Sequence, residues 1–132
     1  MSEAGNLEAT QQLFTAFAAQ DFDSALRHVD DTVVVEFYGP ETIPYAGIHR
    51  GREACRRFLE TVHRSVEIHQ FEPQEMVAKD EQVFVTGHLR LTAKATGRTF
   101  ESDFAHIITL RNHKWIRFRD FMDTAVAVAA FV

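Results

Sequence analysis

Only one cysteine, Cys55, occurs in the 132 residues, so no disulfide framework can hold this chain together. Lysine and arginine never cluster and the formal net charge is -5, which argues against nucleic acid or an anionic membrane surface as a partner. Long apolar runs are missing too. The longest, AVAVAAFV at residues 125–132, falls far short of the roughly 20 residues a membrane-spanning helix needs, so it must pack on protein. The opening MSEAGNLEAT is polar and carries no apolar signal segment, and the expected location is cytoplasmic. Glycine and proline are few and scattered, leaving no linker, repeat or low-complexity tract. The signatures of covalent and nucleotide chemistry are absent: there is no G-x-S-x-G, no glycine-rich phosphate loop, and no base evident beside Cys55. His28, His49, His63, His69, His88 and His113 are not spaced to place two ligands beside a carboxylate on one element, so neither a metal nor another cofactor is expected.

What remains is 45% hydrophobic content, enough for a single domain over residues 1–132 to bury a core unaided. Leu13, Phe14, Phe17 and Ala18 recur at helical spacing and predict a helix over 7–20 capped by Asn6. Asp21 then caps a second, short helix through Phe22, Ala25, Leu26 and Val29, and TVVVEFY follows as a strand. The irregular stretch YGPETIPYAGIHRG, residues 38–51, is expected to serve a site. A third helix over 52–65 is amphipathic, with Ala54, Phe58, Leu59 and Val62 on one face and a solvated charged face opposite. After residue 67 everything reads as strands, with turns at AKDEQ, KATGR and RNHK. Three helices followed by an antiparallel meander define an α+β domain with its helices covering one face of a sheet.

Strand pairing then locates chemistry. A two-residue turn at Thr96-Gly97 places Gly87 on His106, Leu89 on Phe104 and Arg90 on Asp103. A three-residue loop, Arg111 to His113, sets Ile108 on Ile116, His106 on Phe118 and Phe104 on Asp120. His106 and Asp120 become diagonal neighbours on the apolar, helix-covered face, where Gly87 either marks a bend or leaves room for a ligand. Such a pair is either a satisfied core interaction or the polar end of a cavity, since a buried carboxylate is costly unless paired or partly wet. Glu36 enters that cavity or faces solvent; Tyr38 and Tyr45 flank the long loop, where each packs or meets a ligand. Arg119 points outward, toward Asp103, and Trp115 and Phe121 share its face, which suggests a homodimer contact.

The segments YAGIHRGREACRRFLETV and FAHIITLRNHKWIRFRDFMDTA resemble the SnoaL-like branch of the nuclear transport factor 2-like superfamily, and the resemblance extends over almost the whole chain. It implies a cone-shaped α+β barrel: three helices packed on a strongly curved, mostly antiparallel sheet around a deep apolar pocket, commonly in a homodimer. By motif position Asp120 is similar to the acid/base aspartate of SnoaL-like polyketide cyclases, and His106 to the histidine near it. Ketosteroid isomerase, of similar fold, uses a Tyr donor where the first helix here has Phe14 and Phe17. Limonene epoxide hydrolase, also similar, needs an Asp-Arg-Asp arrangement that the outward parity of Arg119 does not supply. The expected function is acid/base chemistry on an apolar carbonyl compound by Asp120 and His106, in a pocket lined by Phe14, Phe17, Glu36, Tyr38, Tyr45, Gly87, Phe104 and Phe118. The alternatives are a non-catalytic module that binds an apolar ligand and epoxide hydrolase-like hydrolysis.

Overall fold

The computed structural model describes residues 2–132; Met1 lies outside them. Helix α1, Glu3–Ala18, starts earlier than its apolar stripe, because Ser2 caps it by accepting from the Gly5 N–H at 3.0 Å. Asn6, the expected cap, is instead a buried helical residue whose Nδ2 reaches the Asp80 carbonyl. Asp21 caps α2, Phe22–Leu26, as expected. Strand β1, Val29–Phe37, is followed by β2, Gly47–Arg50, a short edge strand inside the expected loop. Helix α3, Arg52–Ser65, buries Cys55, Phe58 and Leu59, and turns Arg56 outward to Asp23 and Glu60. Strands β3, Val66–Lys79, β4, Gln82–Ala93, β5, Thr99–Arg111, and β6, Lys114–Met122, form the meander.

The chain does not end in strand. Asp123 caps a fourth helix, α4, Thr124–Phe131, by accepting from the Ala125 N–H. Its alternation of Ala and Val suggests a strand, but alanine is the best helix former and Asp-Thr is a cap signal. Thr96 and Arg98, in the β4–β5 connection, bind the carbonyls of Ala130, Ala129 and Val132 and hold the last turn down.

The six strands run in the order β2-β1-β6-β5-β4-β3, curved but not closed, with β1 parallel to β6 and every other pair antiparallel. Helices α1 and α3 pack on the inner face, and Leu13, Val33, Val35, Val83, Val85 and Ile108 are almost wholly buried between the layers. Each contributes on the order of 2 kcal/mol by leaving water.

Two registers differ from expectation, each by two residues. The β4–β5 connection spans Lys94 to Arg98, with the Ala93 N–H donated to the Arg98 carbonyl, so Gly87 lies on Phe104 and Leu89 on Ser102. Arg90 therefore meets Glu101, while His88 takes Asp103 at 3.0 Å. The β5–β6 connection is a two-residue turn, with Asn112 and His113 both at positive φ, 53° and 60°, as a hairpin with that twist requires. A bulge at Ile116 then resets the pairing, so that Leu110 faces Trp115 but Thr109 faces Arg117. A shift of two keeps every side chain on its face. The bulge turns Lys114 outward and Trp115 inward: Trp115 is buried on the inner face, stacked on Phe118 at 4.9 Å, with Nε1 donating to Thr10 Oγ1 at 3.2 Å. Thr10→Val leaves that indole N–H buried without its partner and is expected to cost about 1–3 kcal/mol in urea unfolding. A cost near zero would place Trp115 at the surface.

Candidate functional site

Across the inner face, Met76, Val85, His106, Asp120 and Phe37 stand in one row on five successive strands. His106 and Asp120 are thus directly opposed rather than diagonal. His106 Nε2 lies 3.3 Å from Asp120 Oδ1. The imidazole is 3% exposed and wrapped by the rings of Phe14, Phe71, Phe104 and Phe118, with centroids 4.6 to 6.1 Å away. Its Nδ1 is buried with no partner among the described residues. A neutral ring with its proton on Nε2 turns that proton toward the carboxylate and leaves Nδ1 as an acceptor. Asp120 keeps 16% of its side chain accessible, so one carboxylate is both paired and reachable.

Both residues open onto a cavity of about 80 Å³ between the sheet and helices α1 and α3. Phe14 and Phe17 line it from α1, Phe58 and Cys55 from α3, Phe118 and Trp115 from β6, and Tyr45 from the loop before β2. No lysine or arginine lines it among the described residues. Burial pushes the Cys55 thiol up to about 12, outweighing the nearby Arg52, which keeps it protonated at neutral pH. Burial, and then the Asp120 charge, hold the Tyr45 phenol above its ordinary value.

Of the expected pocket residues, the structure brings Phe14, Phe17, Tyr45, Phe118, His106 and Asp120 to this cavity. Glu36 and Tyr38 are not in its wall. Val33, Val35 and Phe37 take the buried face of β1, which turns Glu36 outward into a two-pronged pair with Arg117. That hydrogen bond holds the Glu36 carboxyl below the usual carboxylate range. Tyr38 packs its ring at a tilt against Phe121 on the same outer face and accepts from Arg119 Nε. Arg119 faces outward as expected, but over the Phe121 ring and against Tyr38 rather than Asp103. Among the described residues no Asp-Arg-Asp cluster therefore lines the cavity.

Gly87 and Phe104 also stand outside the cavity wall. A Cβ at Gly87 would lie 2.3 Å from the Glu72 carbonyl oxygen and 2.4 Å from Phe104 Cζ, so this glycine serves close packing beside the irregular pairing of β3 near Pro73. Phe104 lies flat against Phe71, 4.8 Å away, and backs His106 from behind. The wall residues sequence reasoning missed are chiefly Phe37, Phe58, Phe71 and Trp115. Alternation with Val33 and Val35 signals the inward face of Phe37, and helical spacing signals Phe58. Nothing local signals the bulge that admits Trp115. Among the described residues no group of three or more His, Cys, Asp or Glu side chains could hold a metal ion, and no helix is long and apolar enough to cross a membrane.

A curved, unclosed sheet backed by helices on its inner face defines a cone-shaped α+β fold. The model of the SnoaL-like domain matches residues 10–118, and the chain belongs to that family, within the nuclear transport factor 2-like superfamily. It is similar to an NTF2-like protein from Burkholderia xenovorans LB400, with 32% identity, a TM-score of 0.92, and 100% and 99% of the two chains covered. An NTF2-like protein of unknown function from Burkholderia pseudomallei K96243 is 25% identical, with a TM-score of 0.85 over 100% and 99% of the chains. A protein from Xanthomonas campestris pv. campestris provisionally named a polyketide cyclase shares the fold at 15% identity, with a TM-score of 0.80 over 98% of each chain. No curated protein matches.

Proposed function

We propose that the cavity is the active site of an acid/base enzyme that removes a proton α to the carbonyl of an apolar compound. The observation that carries this is the Asp120-His106 pair, 3.3 Å apart, at the only charged position of an aromatic-walled cavity among the described residues. Asp120 takes the C–H proton, and the electron pair moves onto the carbonyl oxygen as an enolate. His106 orients the carboxylate through Nε2 or donates to the developing enolate. Returning the proton to another carbon gives isomerisation; attack of the carbanion on a second carbonyl gives ring closure. The provisional naming of one structural relative as a polyketide cyclase agrees with this chemistry. Deuterium exchange at the α-carbons of cyclopentanone, cyclohexanone and acetophenone, followed by proton NMR, tests it. The protein is expected to accelerate exchange of at least one ketone, and Asp120→Asn to abolish the acceleration. Exchange unchanged in Asp120→Asn, with ligand affinity shifted, would make the cavity a binding site without catalysis.

We further propose a homodimer through the outer face of the sheet. Val77, Phe84, Ile107, Arg119, Glu36 and Ile48 form one row across all six strands, and Tyr38 and Phe121 stand beside it. Val77, Ile48, Phe84 and Tyr38 are exposed, an apolar patch interrupted by the charges of Glu36 and Arg119. Two copies related by a twofold axis would bury this patch between them, each contributing the same residues. Sedimentation should give twice 15.1 kDa, falling to the monomer mass in Phe84→Asp. A monomer at micromolar concentration, or a dimer indifferent to Phe84→Asp, contradicts this interface.

A further inference from the structure

Besides His106 Nδ1, one other polar atom of the cavity wall is buried with no hydrogen-bond partner among the described residues: the hydroxyl oxygen of Tyr45. The remaining such atoms, on Asn6, Arg52 and His113, do not belong to residues of this cavity. Tyr45 is 3% exposed, and its ring is held edge-on by Phe37 at 5.0 Å, Phe58 at 6.3 Å and Phe131 at 6.1 Å. A phenylalanine would make the same ring contacts. The hydroxyl therefore adds nothing to packing and costs stability where it stands. Phe37, whose ring meets Tyr45, pairs with Asp120 across β1 and β6, while His106 pairs with Asp120 from β5, and Tyr45, His106 and Asp120 all line the same cavity. A phenol held above its ordinary value by burial and by Asp120 stays protonated through neutral pH, and acts as a donor rather than a base.

The wall also restricts the occupant. Without a lysine or arginine in the lining, an anionic ligand would face the Asp120 carboxylate uncompensated. An ammonium would satisfy Asp120 but leave the Tyr45 donor unanswered. Size acts in the same direction, because a cavity of about 150 Å³ is known to take benzene. With about 80 Å³ here, even a single ring requires small shifts of the surrounding phenylalanines, which favours small ligands over fused-ring compounds.

We infer that Tyr45 is a further ligand-contacting residue of this site, donating its hydroxyl hydrogen to the oxygen of an uncharged, ring-sized carbonyl compound. The inference rests on the active-site reading above and names the oxygen's partner and the substrate class. Cyclopentanone and methylenecyclopentane share a shape and differ in the oxygen, so their affinities isolate the contact. By NMR titration the protein should bind the ketone about tenfold more tightly than the alkene, and Tyr45→Phe should erase that preference by weakening the ketone alone. Exchange at the ketone α-carbon should fall further, by about 10²-fold, since an enolate oxygen accepts more strongly than a ketone oxygen. Cyclopentanecarboxylate and cyclopentylammonium should bind at least tenfold more weakly than the ketone. The ligand-free variant should melt about 2–5 °C higher than the parent, which also shows that it folds. Undiminished ketone affinity in Tyr45→Phe, or a parent preference for the carboxylate or ammonium, overturns the inference. If ketone affinity survives Tyr45→Phe while exchange is lost in Asp120→Asn, the Tyr45 contact fails and the role of Asp120 stands. If exchange survives Asp120→Asn, the active-site reading itself fails.

Discussion

Asp120→Asn is expected to slow ketone α-proton exchange by about 10²–10⁴-fold while changing ketone affinity by less than about threefold. The asparagine amide fills the carboxylate's volume and keeps an oxygen within reach of His106 Nε2, so the cavity stays assembled. What it loses is basicity, which enters only when the C–H bond breaks. A uniform loss, with affinity and rate falling together, would show that Asp120 holds the ligand rather than attacking it. His106→Gln is expected to act less severely on rate. Its amide can still donate toward Asp120, whereas the base itself is untouched.

Gly87→Ala carries the second large effect, on stability. The added methyl would sit 2.3 Å from the Glu72 carbonyl oxygen and 2.4 Å from the Phe104 ring. The ring could yield at some cost to its stack on Phe71. The backbone carbonyl belongs to the β3–β4 ladder and yields only if the strands part locally. The expected loss is about 3 kcal/mol or more, read as a melting temperature lower by roughly 10 °C. Phe104→Leu should not rescue it fully, because the carbonyl contact remains. A variant melting within about 2 °C of the parent would mean that β3 does not approach Gly87 as described.

These two positions show what the sequence makes legible and what it does not. His106 and Asp120 could be assigned to one inner face because strand side chains alternate with period 2, and both register errors were shifts of two, which preserve parity. The exact partners depend on the turns, and those are tertiary. The β4–β5 connection is lengthened where Thr96 holds α4, and the β5–β6 turn relies on positive φ at Asn112 and His113, followed by the Ile116 bulge. The bulge carried Trp115 inward, removing half of the original case for an outer-face dimer. β1 by itself leaves the direction of Glu36 open; the burial of Val33, Val35 and Phe37 turns it outward. Tyr45 lies in a segment without periodicity, and no pattern in the chain announces that its hydroxyl is unpartnered. Helix α4 was misread because alternating apolar residues fit a strand and a buried helix equally well.

A crystal structure of the protein with cyclopentanone bound tests the central claim most directly. The account predicts the ketone inside the cone, with an α-carbon about 3–3.5 Å from a carboxylate oxygen of Asp120 and the carbonyl oxygen turned away from that carboxylate. A ketone seated elsewhere, or with its α-carbons out of reach of Asp120 against an intact His106 pair, would contradict it.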